Sequence, residues 1–281
     1  MTFESKPMIA FDVEPTTVIN QTNRHPIRTE KYSVVTTKDI LSQLEESGLN
    51  WLKVAEENNT PKYKGFGTHL IRCSHPSFTL GLDENLKELT PQLYVKNSYH
   101  GRTLFEMHLG LFNYVSMKGF ILGNKFETIK LKHIGLKQGD VEAAVDRIQE
   151  RFTGEVAPFI LGLKGMKVDE SIQMKIAEAI LKERVRSNAN FVKGDHESLL
   201  AGLKRDSTGQ ASLWNIMETV KDNCGLEFRS SPANIRYELI GKDKDGNDVI
   251  KDRKISKLKN IQEITYMNKY LFDTVARYYL K

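Results

Sequence analysis

Cysteine is scarce in this sequence, with only Cys73 and Cys224 among 281 residues. Two cysteines cannot form a disulfide framework or a metal site built from several thiolates. No unbroken apolar run approaches the roughly 18 residues of a membrane-spanning helix. The opening residues, MTFESKPMIAFDVEP, lack a basic stretch followed by an apolar core, so they do not predict a signal peptide. We therefore expect a protein of a reducing cytoplasm with no membrane partner.

The familiar catalytic and cofactor-binding motifs are missing as well. The sequence contains no GxxxxGK[ST] loop, GxGxxG, HExxH, GxSxG or kinase motif set. His100, His108 and His133 fall in one predicted sheet, but single strand histidines are far more often structural than metal-binding. Cys224, beside Gly225, has no evident base to activate it. No catalytic residue, metal ligand or cofactor is predicted.

Positive charge is present in excess, and that excess is concentrated. The chain has 41 basic and 36 acidic residues, a net charge of +5. Residues 91–137 hold seven basic and two acidic residues, so this stretch carries an excess equal to that of the whole chain. A localised basic surface indicates a polyanionic partner better than overall charge does.

The same stretch is the most strand-like part of the sequence. Strands are predicted over residues 93–97, 102–115 and 126–134, with a turn signal at Ser98-Tyr99-His100-Gly101. In the last strand Ile129 and Leu131 alternate with Lys130 and Lys132, which predicts one buried and one solvated face. The apolar residues of segment 102–115 also fit one face of a helix, but we favour the strand. An amphipathic helix over residues 138–152 would complete a β-β-β-α core.

The rest of the chain is predicted to be mainly helical. Residues 1–67 form an arm with short helices, one from Thr36 to about Gly48 and one over residues 49–59. Beyond residue 155 we expect a break over 154–165, helices, and a closing helix from 257. An Asp-Gly turn at 243–247 predicts a hairpin rather than a calcium loop.

These elements predict an α+β fold and three regions. An antiparallel sheet with a β-β-β-α core would be backed by helices, and a helical C-terminal half would carry a small hairpin. The expected boundaries are 1–67 for the arm and short helices, 68–155 for the core domain and 156–281 for the C-terminal region.

The basic strand face is the candidate nucleic-acid site. Lysines and arginine would meet phosphates while aromatic rings stack on bases. Tyr94 is one further candidate for stacking. The alternative is a solvated strand face whose lysines discourage aggregation at a sheet edge. The predicted contacts are Lys96, Tyr99, Arg102, Lys118, Phe126, Lys130 and Lys132.

Several short motifs follow one another along the chain, beginning with Asn97-Ser98-Tyr99-His100-Gly101-Arg102-Thr103. The further stretches are Gly110-Leu111-Phe112-Asn113-Tyr114-Val115-Ser116, Gly119-Phe120-Ile121-Leu122-Gly123, Ile129-Lys130-Leu131-Lys132-His133, Ser212-Leu213-Trp214-Asn215, Arg253-Lys254-Ile255 and Met267-Asn268-Lys269-Tyr270-Leu271-Phe272. Together and in this order they resemble the motifs of a phage- and plasmid-borne family known only as a domain of unknown function. This chain departs from the family in its Tyr99-His100 and in lacking a cysteine near residue 117. The resemblance covers about residues 91–279 and implies a mobile-element context.

The predicted core is also similar to that of ring-forming single-strand annealing proteins, an analogy of fold and charge. It implies a homo-oligomer in the host cell cytoplasm that binds, and anneals, single-stranded DNA during phage or plasmid recombination. Two alternatives stay open. One is an accessory protein that binds a protein partner to counter host defence, and the other is a metal-dependent nuclease.

Overall fold

Helices and antiparallel strands both occur in this computed structural model, which confirms the α+β prediction. The described residues are 18, 20–27, 36–46, 48–56, 65–75, 78–100, 105–113, 115, 118–126, 129–131, 147–148, 150–185, 190–227, 230–258 and 260–280. The helix expected over residues 138–152 lies largely outside them.

The described helices are α1 Thr37–Glu46, α2 Ala157–Gly165, α3 Glu170–Val185, α4 His196–Leu199, α5 Leu213–Asn223 and α6 Ile261–Tyr279. The strands are β1 Asn50–Glu56, β2 Thr68–Ser74, β3 Leu89–Ser98, β4 Phe105–Asn113, β5 Lys118–Ile121, β6 Ile129–Leu131, β7 Lys167–Val168, β8 Phe191–Gly194, β9 Ala211–Ser212, β10 Arg236–Lys242 and β11 Asp248–Lys254. Among the described residues, no helix is long and apolar enough to cross a membrane.

Contacts divide the chain into two units, each assembled from three segments. The first unit comprises Met1–Phe78, Gln92–His108 and Thr128–Gln149, and the second comprises Thr79–Pro91, Leu109–Glu127 and Glu150–Lys281. The three regions expected from the sequence stay a prediction. They are continuous stretches of the chain, whereas the two units group segments by their contacts in space.

The first unit contains a sheet in which β2 pairs with β1 and β3, and β6 pairs with the first half of β4. One face is apolar, since Ile71 pairs with Val95 and both are fully buried. The expected strand at 126–134 is confirmed for Ile129–Leu131, whereas Phe126 ends a short 3₁₀ turn.

Residues 49–59 were expected to form a short helix, and that prediction is wrong for Asn50–Glu56. These residues form β1, whose partners run from Ser74 opposite Asn50 to His69 opposite Glu56. Pairing with β2 satisfies the backbone of this segment, so tertiary context outweighs its local helix propensity.

In the second unit α2 and α6 contribute rings to an aromatic cluster around Phe126. Phe126 lies 5.4 Å from Phe159 and 5.8 Å from Phe272 between ring centroids, and Phe159 also contacts Tyr279. A Cβ on Gly162 would come within 2.1 Å of the Tyr279 ring, so only glycine allows this close packing.

The break expected over 154–165 is therefore wrong, because Gly162 and Gly165 lie within a helix. Phe152–Val156 forms a π turn that continues into α2, whose first turn contains Pro158. The N-cap expected at Asp169 is confirmed, since its carboxylate accepts from the Ile172 amide at 2.9 Å.

Candidate functional site

The structure places Lys96 in the interior, which corrects its expected position on a solvated face. Its side chain is 9% exposed, and its Nζ forms an ion pair with Glu106 at 2.7 Å across β3 and β4. His108 Nε2 lies 3.2 Å from the same carboxylate oxygen. The ammonium group is thus already neutralised within the first unit, so Lys96 is not free to receive a phosphate.

Two aromatic residues expected to stack on bases are also buried. Tyr99 is 1% exposed, and its hydroxyl donates to Thr37 Oγ1 at 2.7 Å while its ring stacks on His69. Phe126 is 1% exposed within the aromatic cluster of the second unit. Tyr94, the further candidate, is 7% exposed. All three rings are therefore core side chains and are not available to bases at the surface.

The remaining predicted contacts can be placed only by their backbone or not at all. Lys118 in β5 pairs with Asn113, and Lys130 in β6 pairs with Glu106. The side chains of both lysines, and the whole of Arg102 and Lys132, lie outside the described residues. Their contact with nucleic acid stays a prediction.

A separate polar cleft of about 630 Å³ lies wholly within the second unit. Short strands β7 and β9 pair beside it, with Lys167 opposite Ser212, and the Ser212 hydroxyl caps α5 by accepting from the Asn215 amide at 3.1 Å. The cleft is lined by Glu88, Asn113, Val115, Lys164, Lys167, Lys204, Arg205, Asp206, Gln210, Ala211, Ser212, Trp214, Asn215 and Glu218.

One wall of the cleft is a tight loop built around Asp206. The Asp206 carboxylate accepts from the Thr208 and Gln210 amides at 2.9 and 3.1 Å, and the loop closes through Gly209 at a φ of 79°. Lys167 pairs with the same carboxylate at 2.8 Å. This hydrogen bond from Lys167, supported by those from Thr208 and Gln210, lowers the pKa of Asp206.

The cleft holds four cationic side chains and three carboxylates. Lys164 and Lys167 are paired with Glu88 and Asp206. Lys204 and Arg205 are exposed, and neither forms an ion pair with any residue that the structure describes. Arg205 Nε instead donates to Gln173 Oε1 at 2.8 Å, which positions the guanidinium group. Lys204 and Arg205 are thus left to interact with an anion.

Glu218 is the most enclosed carboxylate of the cleft. Burial raises its pKa, while a 2.8 Å hydrogen bond from Asn113 Nδ2 and the nearby charge of Lys164 oppose that rise. A carboxyl group with a raised pKa keeps its proton to higher pH. This weakens the repulsion that Glu218 would otherwise exert on an anion in the cleft.

Trp214, which lines the cleft, has a buried indole donor without a partner in the described part of the chain. Its side chain lines the cleft and is 2% exposed, packed against Phe120 at 5.2 Å with Lys164 Nζ lying 5.6 Å from its ring. Among the described residues, no acceptor meets the indole Nε1–H. A buried donor without a partner costs about 1–3 kcal/mol, so an acceptor from a ligand would recover this cost.

Replacing Glu218 with glutamine is expected to reverse a pH-dependent loss of stability. Because the folded pKa is raised, the carboxyl contributes stability that is present below the unfolded pKa and lost as pH rises through the folded pKa. The variant should melt at a higher temperature than the parent at about pH 8, and the difference should shrink at about pH 4. Thermal melts across this range measure it, and a constant difference between the two proteins would contradict this role of Glu218.

Chemically, the cleft is suited to binding an anion. The N-terminus of the 11-residue helix α5 carries partial positive charge, and the free cations and the indole donor add to it. Within the described part of the chain, no three histidine, cysteine, aspartate or glutamate residues are close enough to hold a metal ion.

Sequence reasoning did not identify the cleft, although two of the quoted motifs contribute to it. Asn113 and Val115 come from one motif, and Ser212, Trp214 and Asn215 come from another. The signal that pointed toward them was therefore the conjunction of two motifs about a hundred residues apart. Neither motif resembles a known binding sequence.

Comparison with known proteins gives a family model and two curated relatives. The model described as Domain of unknown function (DUF932) matches residues 24–234. UPF0380 protein YfjQ of Escherichia coli (strain K12) is 20% identical over 240 residues, and UPF0380 protein YafZ of the same organism is 21% identical over 240 residues. Each alignment covers 80% of this chain and 80% of the relative. No solved structure matches.

Proposed function

We propose a function from the cleft itself, because the chain belongs to a family, Domain of unknown function (DUF932), whose description assigns none. The resemblance to a family of unknown function is thereby confirmed. The matched region begins earlier than the quoted motifs and ends at residue 234, before the last two of them. The proposed function is binding of single-stranded DNA, with one nucleotide of the strand held in the cleft of the second unit.

The unsatisfied Trp214 donor in a cationic cleft carries this proposal. A phosphate or a base offers the acceptor that the indole Nε1–H lacks. Lys204 and Arg205, which have no carboxylate partners among the described residues, supply charge for the phosphate, and the N-terminus of α5 adds to it.

The size of the cleft favours a single strand over a duplex. Its volume of about 630 Å³ lies within the range of roughly 300–1,000 Å³ that is typical of small-ligand and cofactor sites. A cleft of this size admits one nucleotide, which must leave its neighbours to enter. Unstacking and unpairing a base of a duplex costs a few kcal/mol, whereas the cost is least for a base that is already in a single strand.

The test is a fluorescence-anisotropy titration with labelled single- and double-stranded oligonucleotides at two salt concentrations. We expect tighter binding of the single strand and a salt-dependent affinity. The double variant Lys204→Gln/Arg205→Gln should reduce the magnitude of the slope of log K against log salt by about 1.4, at roughly 0.7 per lost phosphate contact.

A matched control removes the same charges elsewhere in the second unit. Lys175 and Arg277 are exposed and do not line the cleft, so Lys175→Gln/Arg277→Gln should retain the parent slope. Failure of the parent protein to bind single strands at low salt would overturn the proposed function. Equal slopes for the two double variants would show that the strand does not bind in the cleft.

Annealing, a ring-shaped homo-oligomer, a phage or plasmid setting and the host cytoplasm stay predictions. The two alternatives also stay predictions, and neither is favoured by a described feature. A nuclease should lose activity in a chelator, whereas binding to the cleft needs no metal. A protein that counters host defence by binding another protein should be indifferent to DNA.

A further inference from the structure

The small sheet formed by β11, β10 and β8 has two faces that differ in charge pairing. Directly opposed residues of an antiparallel pair share a face, and successive residues alternate between faces. The register pairs Ile240 with Ile250 on one face, and Leu239 with Lys251 and Tyr237 with Arg253 on the other. We call these the paired face and the cationic face.

On the paired face the charges are largely balanced. Arg236 contacts Asp252 through two nitrogens, Lys242 pairs with Asp248 at 2.7 Å, and Lys193 of β8 pairs with Glu238 at 3.1 Å. Lys254 of this face forms no ion pair with a carboxylate of the residues that the structure describes. Ile240 and Ile250 sit between these ion pairs as an exposed cross-strand pair.

On the cationic face no carboxylate is present among the residues of β10 and β11. Lys251 and Arg253 stand on β11 beside Val249, and Tyr237, Leu239 and Gly241 stand on β10. A Cβ on Gly241 would meet the Lys251 side chain at 2.7 Å, so this glycine leaves room for Lys251 to lie across β10. The lysine donates to the Lys242 carbonyl, and Arg253 is exposed with no partner among the described residues.

The carboxylates at the tip of the hairpin do not neutralise this face. Asp243 is committed to its own turn, since its carboxylate accepts from the Asp245 and Asn247 amides at 2.9 and 2.8 Å. Backbone hydrogen bonds from Asn247, with others from Asp245 and Gly246, lower the pKa of Asp243. Asp245 is exposed at the tip beyond both strands.

We propose that the cationic face of the β10–β11 hairpin is a second contact for single-stranded DNA, with Lys251 and Arg253 binding phosphates of the strand. The inference rests on the proposed function and extends it to a surface outside the cleft. A polyanion complements two uncompensated cations, whereas a protein partner of ordinary composition would find its complement on the ion-paired, isoleucine-bearing face. The flat, partly exposed Tyr237 ring beside Arg253 suits a nucleotide chain as well.

The experiment compares two double variants of the full chain in the same anisotropy titration with a labelled single strand. Lys251→Gln/Arg253→Gln should lower the magnitude of the slope of log K against log salt by about 1.4. Lys193→Gln/Lys242→Gln removes equal charge from the paired face and should leave the slope unchanged. The exchange Lys251→Arg/Arg253→Lys keeps the charge and should retain the parent slope.

The outcomes separate this inference from the function on which it rests. A parent protein that binds no single strand overturns both. A parent that binds, with equal slopes for the two glutamine variants, overturns the hairpin contact alone and leaves the cleft. Increased aggregation of Lys251→Gln/Arg253→Gln with unchanged affinity would assign these residues to guarding the edge strand β11, which also overturns the inference.

Discussion

Replacing Phe126 with alanine is expected to lower the free energy of unfolding by about 3–5 kcal/mol. The ring is 1% exposed and contacts Phe159 and Phe272 at centroid distances of 5.4 and 5.8 Å, so its removal leaves a cavity in the second unit. Chemical denaturation measures the change. DNA affinity, measured well below the melting temperature, should stay at the parent value because a buried ring does not reach bases.

Two controls distinguish a core role of Phe126 from a contact role. Phe126→Leu fills most of the cavity and should cost less than the alanine variant. Leu82→Ala removes a 96%-exposed apolar side chain and should change stability by only about 0.5 kcal/mol or less. A stable Phe126→Ala protein that has lost DNA affinity would return Phe126 to the contact role first predicted from the sequence.

Replacing Glu106 with glutamine is expected to cost about 3 kcal/mol of unfolding free energy. The change leaves the Lys96 ammonium, on a side chain that is 9% exposed, without its carboxylate. The lower end of the usual range for breaking buried pairs is appropriate because Glu106 retains 15% of its side-chain exposure. The double variant Lys96→Met/Glu106→Leu removes both charges and should recover much of the loss.

The same pair predicts a specific acid sensitivity. Burial alone would raise the pKa of Glu106, but hydrogen bonds with His108 and Lys96 outweigh it and lower the pKa to about 2. A depressed pKa contributes stability that is present above the ordinary value of 4.5 and lost as pH falls toward 2. The parent should lose stability across this window more steeply than Glu106→Gln does. Parallel curves for the two proteins would contradict the ion pair.

Local patterns predicted much of the fold because they act over a few residues. The Asp-Gly turn identified the β10–β11 hairpin, and the cap at Asp169 and the apolar spacing of α6 identified two helices. The wrong predictions concern segments whose secondary structure depends on residues that are distant in the sequence. The strand β1 depends on pairing with β2, and the helical glycine Gly162 depends on the Tyr279 ring more than a hundred residues away.

The candidate site was harder to predict for the same physical reason. Counting charges along the sequence treated Lys96 as a free cation, but Glu106 lies ten residues away and meets it across two strands. The cleft combines a loop, two short strands and the start of α5, and none of these has a sequence typical of a binding site. Its defining feature, a buried indole without an acceptor, depends on packing against Phe120 and is invisible in composition.

The interleaved assembly of the two units has a consequence for synthesis on the ribosome. Every segment of the first unit has been translated once Gln149 is made, whereas the second unit still lacks Glu150–Lys281. At typical elongation speeds of about 5–20 residues per second, that last segment takes roughly 10 s to complete. During this interval Phe120, Ile121 and Phe126 are made but lack the helices that bury them, so the nascent chain presents an apolar stretch on which chaperones can act.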